Sequence, residues 1–160
     1  MKAAPAAQPL LTFGQCLKQI LKTRKLSASA LSRMMEQPIE LDLPSLKVVK
    51  YYKMHELLEQ PEELQTGILI EVTGQLKGIF LFMLSEAFTK TVINTILGEE
   101  ERNLTSLDDM ECSLISELGN IMCGSYIRAL SQLMDMDMDV SVPELCIDMG
   151  GAILTYPMSK

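Results

Sequence analysis

Three polar side chains recur at helical spacing inside an apolar run: Ser113, Glu117 and Asn120, set in SLISELGNIMCGSYIRALSQLM. A proline, Pro143, follows Asn120 after twenty-two intervening residues. Offsets of four and three residues place Ser113, Glu117 and Asn120 on one helix face. A carboxylate and an amide held side by side on a rigid helix can bind a cation and orient a water. Gly119 and Gly124 each cost the helix roughly 1 kcal/mol relative to alanine, with no cap to account for them. Gly124 falls four residues after Asn120, on the same face; close approach of a partner backbone and tight packing against the sheet are the two readings of these glycines, the first favoured for Gly124 and neither for Gly119.

The positioning elements follow from periodicity. Leu17, Ile20, Leu21, Leu26, Leu31 and Met34 predict a helix over Leu11 to Met35, ended by Gln37 and Pro38. Ile39, Leu41 and Leu43 alternate with Glu40 and Asp42 as in a half-buried strand, and Leu46 to Tyr52 reads as a second strand. A short helix is expected over Met54 to Leu64, broken at Pro61. Gly67 to Thr73 and Lys77 to Leu84 form a hairpin around Gly74 and Gln75. Phe88 to Leu97 is helical and stops at Gly98. Glu99 to Arg102 forms a charged loop, and Thr105 or Ser106 caps the next helix, with Asp108 and Asp109 in its first turn. That helix runs to about Met134, and two strands follow, Met136 to Val142 and Leu145 to Tyr156.

The chain repeats itself. The shift that carries Ala30–Leu31–Ser32 onto Ala129–Leu130–Ser131 also lays Met35 on Met134, Pro44 on Pro143 and Leu46 on Leu145. A helix followed by two strands therefore occurs twice, which implies a pseudo-twofold α+β architecture. The first copy lacks the chemistry: Ser113 falls on Gly14, Glu117 on Lys18 and Asn120 on Leu21.

Composition narrows the function. With 48% hydrophobic and 22% charged residues the chain is globular rather than disordered. A net charge of −7 argues against sequence-independent nucleic-acid binding and against an anionic membrane surface. The opening MKAAPAAQPLL reads as a loose lead-in over residues 1–10 rather than a signal peptide, no apolar run is long enough to span a bilayer, and cytoplasm is the default. Cys16, Cys112, Cys123 and Cys146 lack zinc-site spacing, and His55 stands alone, so reduced thiols and a surface histidine are expected. Asp135, Asp137 and Asp139 open like a calcium loop, but Val140 and Cys146 occupy the positions that need glycine and glutamate, so no metal is expected there.

The pattern Ser/Asp-x3-Glu-x2-Asn-x22-Pro, met at Ser113, Glu117, Asn120 and Pro143, resembles the signature of the CheC/CheX/FliY family of chemotaxis phosphatases. The words ELGNIMCGSY and PELCIDM are similar to CheC, and the resemblance covers roughly Leu11 to Pro157. It implies an antiparallel sheet flanked by two long helices, in one domain over 11–160. Repeat one, 11–98, carries a degenerate site and repeat two, 105–160, an intact one. It implies hydrolysis of the aspartyl phosphate on the response regulator CheY. Glu117 would pair with a lysine of the receiver site and Asn120 would align a water in line with the phosphoryl group. Ser113 and Gly124 would support them, and Pro143 would be structural. The domain would need no cofactor of its own, since the receiver domain brings its Mg²⁺. The alternative is a non-catalytic module that binds phosphorylated CheY or the deamidase CheD. Elements matching Gly67 to Leu97 would lie beyond Lys160, and an open sheet edge left by their absence suggests a homodimer.

Overall fold

The computed structural model describes residues 28–40, 47 and 49–159. A helix over 28–34 (α1) leads into a 3₁₀ helix at Tyr51–Leu57, strand β1 at Leu64–Gly74, strand β2 at Gly78–Ser85 and helix α2 at Glu86–Leu97. A 3₁₀ turn at Leu104–Ser106 precedes the long helix α3, Asp109–Met134. Strand β3 (Met138–Val140), strand β4 (Glu144–Met149), a one-turn helix α4 (Gly150–Ile153) and a 3₁₀ turn at Tyr156–Ser159 complete the order.

Among the described residues strand β1 is the axis of a four-stranded antiparallel sheet. It pairs β2 along one side, while β4 (against Leu64–Leu69) and β3 (against Val72–Gly74) share the other. Between these two pairings β1 spends Ile70 and Glu71, whereas the opposite strand spends Ser141, Val142 and Pro143. The extra residue makes a bulge, a place where a proline's missing N–H breaks no ladder bond. Ser141 repairs the gap: its N–H donates to the Glu71 carbonyl at 2.9 Å, and its hydroxyl accepts from the Glu71 N–H at 3.0 Å.

Alternation along β1 sends Thr66, Ile68, Ile70 and Val72 to one face, where they are buried with Val92 and Ile93 of α2, Leu104, and Ile115 and Leu118 of α3. The Thr89 hydroxyl donates to Thr66 Oγ1 at 3.1 Å inside this layer. Phe80 and Phe82 of β2 pack on Tyr126 of α3, with ring centroids 6.2 and 6.3 Å apart. On the opposite face Gly67 and Leu69 are covered by Ile153 of α4. Cover on both faces explains why β1 reads as a nearly unbroken apolar run.

The internal repeat is visible where the two helices end. The Gln37 N–H donates to the Ser32 carbonyl at 3.2 Å, and at the equivalent positions the Met136 N–H donates to the Ser131 carbonyl at 3.2 Å. Glu36 and Asp135, which the same shift superposes, both take the left-handed conformation, with φ 52° and 51°.

Other expectations are corrected. Residues 47, 49 and 50 form no strand, and the chain enters a 3₁₀ helix at Tyr51, ahead of the helix expected from Met54. Val49 and Tyr52 stay exposed, so no sheet face draws this apolar stretch into a ladder. Strand β4 stops at Met149 rather than at Tyr156 because its partner β1 begins opposite, at Leu64. Beyond it the Gly150 and Gly151 N–H groups turn to the carbonyls of Glu63 and Pro61. Strand β3 is cut to three residues by the bulge. Thr105 and Ser106 do not cap α3. They belong to the 3₁₀ turn, whose own cap is Asn103, and Asp108 takes the helix. Residues 38–40 form no strand, though Ile39 packs on the core. The lead-in 1–10, the helix before Ala28, Leu41, Leu43, Pro44 and Leu46, and Gly14, Cys16, Lys18 and Leu21 lie outside the described residues.

The loop before α3 carries a buried charge pair. Arg102 Nη1 donates to Glu111 Oε1, its Nε to Asn94 Oδ1 at 2.7 Å and its Nη2 to the Gly98 carbonyl at 3.0 Å. Only 8% of the Arg102 side chain and 9% of the Glu111 side chain meet solvent. The guanidinium thus ties the end of α2 to the start of α3. Replacing Arg102 by alanine leaves a carboxylate buried without its partner, so Arg102→Ala is expected to cost about 3 kcal/mol in urea unfolding. A loss below about 1 kcal/mol would show that the pair contributes no more than an exposed one.

Candidate functional site

Helix α3 begins with a reciprocal cap. The Asp108 carboxylate accepts from the Glu111 N–H at 2.8 Å, and the Glu111 carboxylate accepts from the Asp108 N–H at 2.9 Å. Asp109 and Glu111 add negative charge to the first turn, where the helix dipole favours it. Ile115, Leu118, Gly119, Cys123 and Ile127 face the sheet. With those positions inward, Ser113, Glu117 and Asn120 are all exposed.

The two glycines resolve differently. A Cβ on Gly119 would lie 2.5 Å from Ile68 Cγ2, so this residue lets α3 settle onto β1. A Cβ on Gly124 would meet only Arg128 Nη2, at 4.0 Å. Packing therefore explains Gly119 and does not explain Gly124, which leaves a shallow notch on the outward face one turn after Asn120.

Within the stripe, Asn120 Nδ2 donates to Glu117 Oε2 at 3.3 Å. The bond occupies one amide hydrogen and leaves the amide oxygen and the second N–H open to a ligand or water. Ser113 sits one turn earlier on the same face and takes no part in that bond. Pro143 is not in the stripe; it occupies the sheet bulge. The structure thus brings Ser113, Glu117, Asn120 and Gly124 together on one surface and assigns Pro143 to the strand that follows.

Among the described residues no cluster of three or more His, Cys, Asp or Glu side chains is arranged to hold a metal ion. Asp135 is the left-handed residue that ends α3, and Asp139 lies in the short strand β3. His55 is exposed in the 3₁₀ helix. Cys112, Cys123 and Cys146 are free thiols. Burial pushes the Cys123 thiol up to about 11, which makes it a packing group rather than a nucleophile. No helix among the described residues is long and apolar enough to cross a membrane. Sequence reasoning passed over two residues. Arg102 was a loop charge, and Arg128, four residues after Gly124 and eight after Asn120, carried a spacing signal that would have put it on the stripe.

The α+β architecture has counterparts among known proteins. The CheC-like family profile matches residues 110–147, most of α3 and the strands after it. The chain is 28% identical over 131 residues to the CheY-P phosphatase CheC of Bacillus subtilis, covering 81% of this chain and 63% of that protein. It is 31% identical over 108 residues to the CheY-P phosphatase CheX of Thermotoga maritima, covering 64% of this chain and 66% of that one. It therefore spans just under two thirds of the length of these relatives. In fold it resembles the crystal structure of Thermotoga maritima FliY, with a TM-score of 0.67 at 21% identity, over 87% of this chain and 71% of that one. In sequence and in fold the chain is thus similar to the CheC/CheX/FliY family.

The contrast between the glycines is testable by thermal melting. Gly119→Ala drives a methyl into the stiff, fully buried Ile68 and is expected to destabilise by about 1–2 kcal/mol, overpacking outweighing the gain in helix propensity. Gly124→Ala enters open space and is expected to stabilise by about 0.5–1 kcal/mol. Equal effects from the two would contradict the seating of α3.

Proposed function

We propose that this chain accelerates hydrolysis of the aspartyl phosphate of a CheY-type receiver domain through Glu117 and Asn120. The observation that carries the reading is the exposed, hydrogen-bonded Glu117–Asn120 pair on a helix capped at its start and packed along its length. The likeness to that family and the names of the two phosphatase relatives supply the substrate class.

The chemistry asks little of the helper. Water oxygen attacks phosphorus, the aspartyl C–O–P linkage breaks on the phosphorus side, and the aspartate carboxylate departs. The water's protons remain with the released phosphate and solvent. Such a transfer is governed by alignment and by charge stabilisation. The receiver's own Mg²⁺ supplies the larger charge, and this chain supplies the alignment. Docking brings Glu117 against a lysine of the receiver, which takes over the carboxylate. The Asn120 amide, freed from its bond to Glu117, then holds the water with its oxygen accepting and its nitrogen donating. Ser113 supports the approach of the stripe, and Gly124 keeps the surface beyond Asn120 low. Pro143 acts at a distance by fixing the bulge on the sheet beneath.

The test is dephosphorylation of a purified phosphorylated CheY-type domain. Asn120→Ala is expected to lose about 100-fold in acceleration with binding retained, as when a transition-state donor is removed. Glu117→Ala is expected to weaken binding as well. If the unaltered chain binds the phosphorylated domain and does not accelerate its hydrolysis, the protein is a binding module and the enzymatic reading fails.

A further inference from the structure

Arg128 shares the outward face of α3 with Glu117, Asn120 and Gly124. Its side chain runs back along the helix, the direction in which helical side chains lean, and brings Nη2 to 4.0 Å from the position a Gly124 Cβ would occupy. The guanidinium therefore lies over the glycine notch, on the Asn120 side of its own Cα. Among the described residues it forms no salt bridge and no hydrogen bond. Arg33 and Lys77 also stand outside the salt bridges, so what distinguishes Arg128 is its place on the stripe beside Gly124. The helix dipole does not account for it, since that effect is confined to the last turn and α3 continues to Met134.

Resting on the phosphatase reading above, we infer that Arg128 is a specificity-determining contact of the same site, meeting a carboxylate on the rim of the receiver's phosphorylation pocket. A pocket that binds Mg²⁺ beside an aspartyl phosphate must gather carboxylate oxygens, so its surroundings are anionic. Eight residues of helix separate the Asn120 and Arg128 backbones by about 12 Å, and the backward lean recovers roughly one turn of that. The guanidinium thus stands about a turn from the Asn120 amide, too far to share the reacting phosphoryl group and well placed for the rim. The planar fork suits a carboxylate in two-point contact. Gly124 is the complement: a long side chain there would lift the guanidinium off the helix. A rim contact is the same in ground and transition states, so it acts on association and KM and leaves the hydrolytic step alone.

The experiment uses the full chain and a phosphorylated CheY-type domain, with steady-state kinetics at low and high salt. Arg128→Ala is expected to raise KM about fivefold at low salt, with kcat within about twofold, and to flatten the salt dependence of KM. Arg128→Lys should keep the salt dependence and recover part of the affinity. Lys90→Ala, which removes a charge from α2 where it pairs with Glu86, should move neither quantity. An unchanged KM and salt slope in Arg128→Ala would overturn the inference, as would a fall in kcat at constant KM. Calorimetric binding to the same domain carrying a beryllofluoride phosphoryl mimic separates the two readings. If the unaltered chain does not accelerate hydrolysis but loses affinity on Arg128→Ala, the contact stands without the enzyme. If Asn120 is required for hydrolysis and Arg128→Ala binds as the unaltered chain does, the contact fails alone.

Discussion

Helix α3 meets β1 where Gly119 faces Ile68, and at that point the helix has no side chain to hold it off the sheet. Close approach at one residue fixes both the height and the rotation of a 26-residue helix. Once Gly119, Ile115 and Leu118 point inward, the remaining arc has only one way to face. Ser113, Glu117 and Asn120 are exposed, and the Gly124 notch opens outward, because the opposite arc is buried against the sheet. The outward chemistry is thus set by an inward contact. The Arg102–Glu111 pair adds a second constraint at the start of the helix, joining it to the end of α2 through a guanidinium with almost no solvent exposure. Glu111 serves both as cap and as ion-pair partner, so the N-terminus of α3 is held by charge and the middle by steric fit.

Such rigidity matters because an amide has little intrinsic reactivity. Asn120 cannot act as a strong base, and Glu117 lies open to water. What the two offer is position, and position is of use only on an element that does not fray or roll. Most of the stability of α3 comes from the apolar arc laid on β1, β2 and β4. The site therefore depends on the core beneath it, although its own polar residues are exposed.

The helix and its stripe were legible from spacing alone, because three polar residues at helical intervals in an apolar run leave little freedom. The hairpin and the helix after it were legible for the same reason, their periods and their glycine punctuation agreeing with what forms. The strand ends were not. Leu145 to Tyr156 reads as a strand on apolar content, but a strand stops where its partner stops, and Leu64 opposite Met149 is a tertiary fact. The cap of α3 was misplaced by a few residues because Asn103, Thr105, Ser106 and Asp108 all have capping chemistry, and only the burial of Leu104 assigns the first of them to a separate turn. Arg102 was read as a loop charge because nothing local says that Asn94 and Glu111 will converge on it. Spacing put Gly124 on the face of Asn120 but left the role of Gly119 open, and only the neighbour across the gap assigns it to packing.

The duplication shows why packing and chemistry can part. Ser32 and Ser131 accept the same 3.2 Å bond at the ends of their helices, and Glu36 and Asp135 take the same left-handed turn. Those features end a helix and redirect the chain, so either copy needs them whether or not it carries a site. Glu117 and Asn120 contribute nothing of that kind, being exposed and bonded to each other, and their counterparts in the first copy are Lys18 and Leu21. By propensity a lysine and a leucine suit a helix as well as a glutamate and better than an asparagine. They cannot reproduce a carboxylate beside an amide. The demands of folding account for both helix endings, and they place no demand on a polar pair that takes no part in packing.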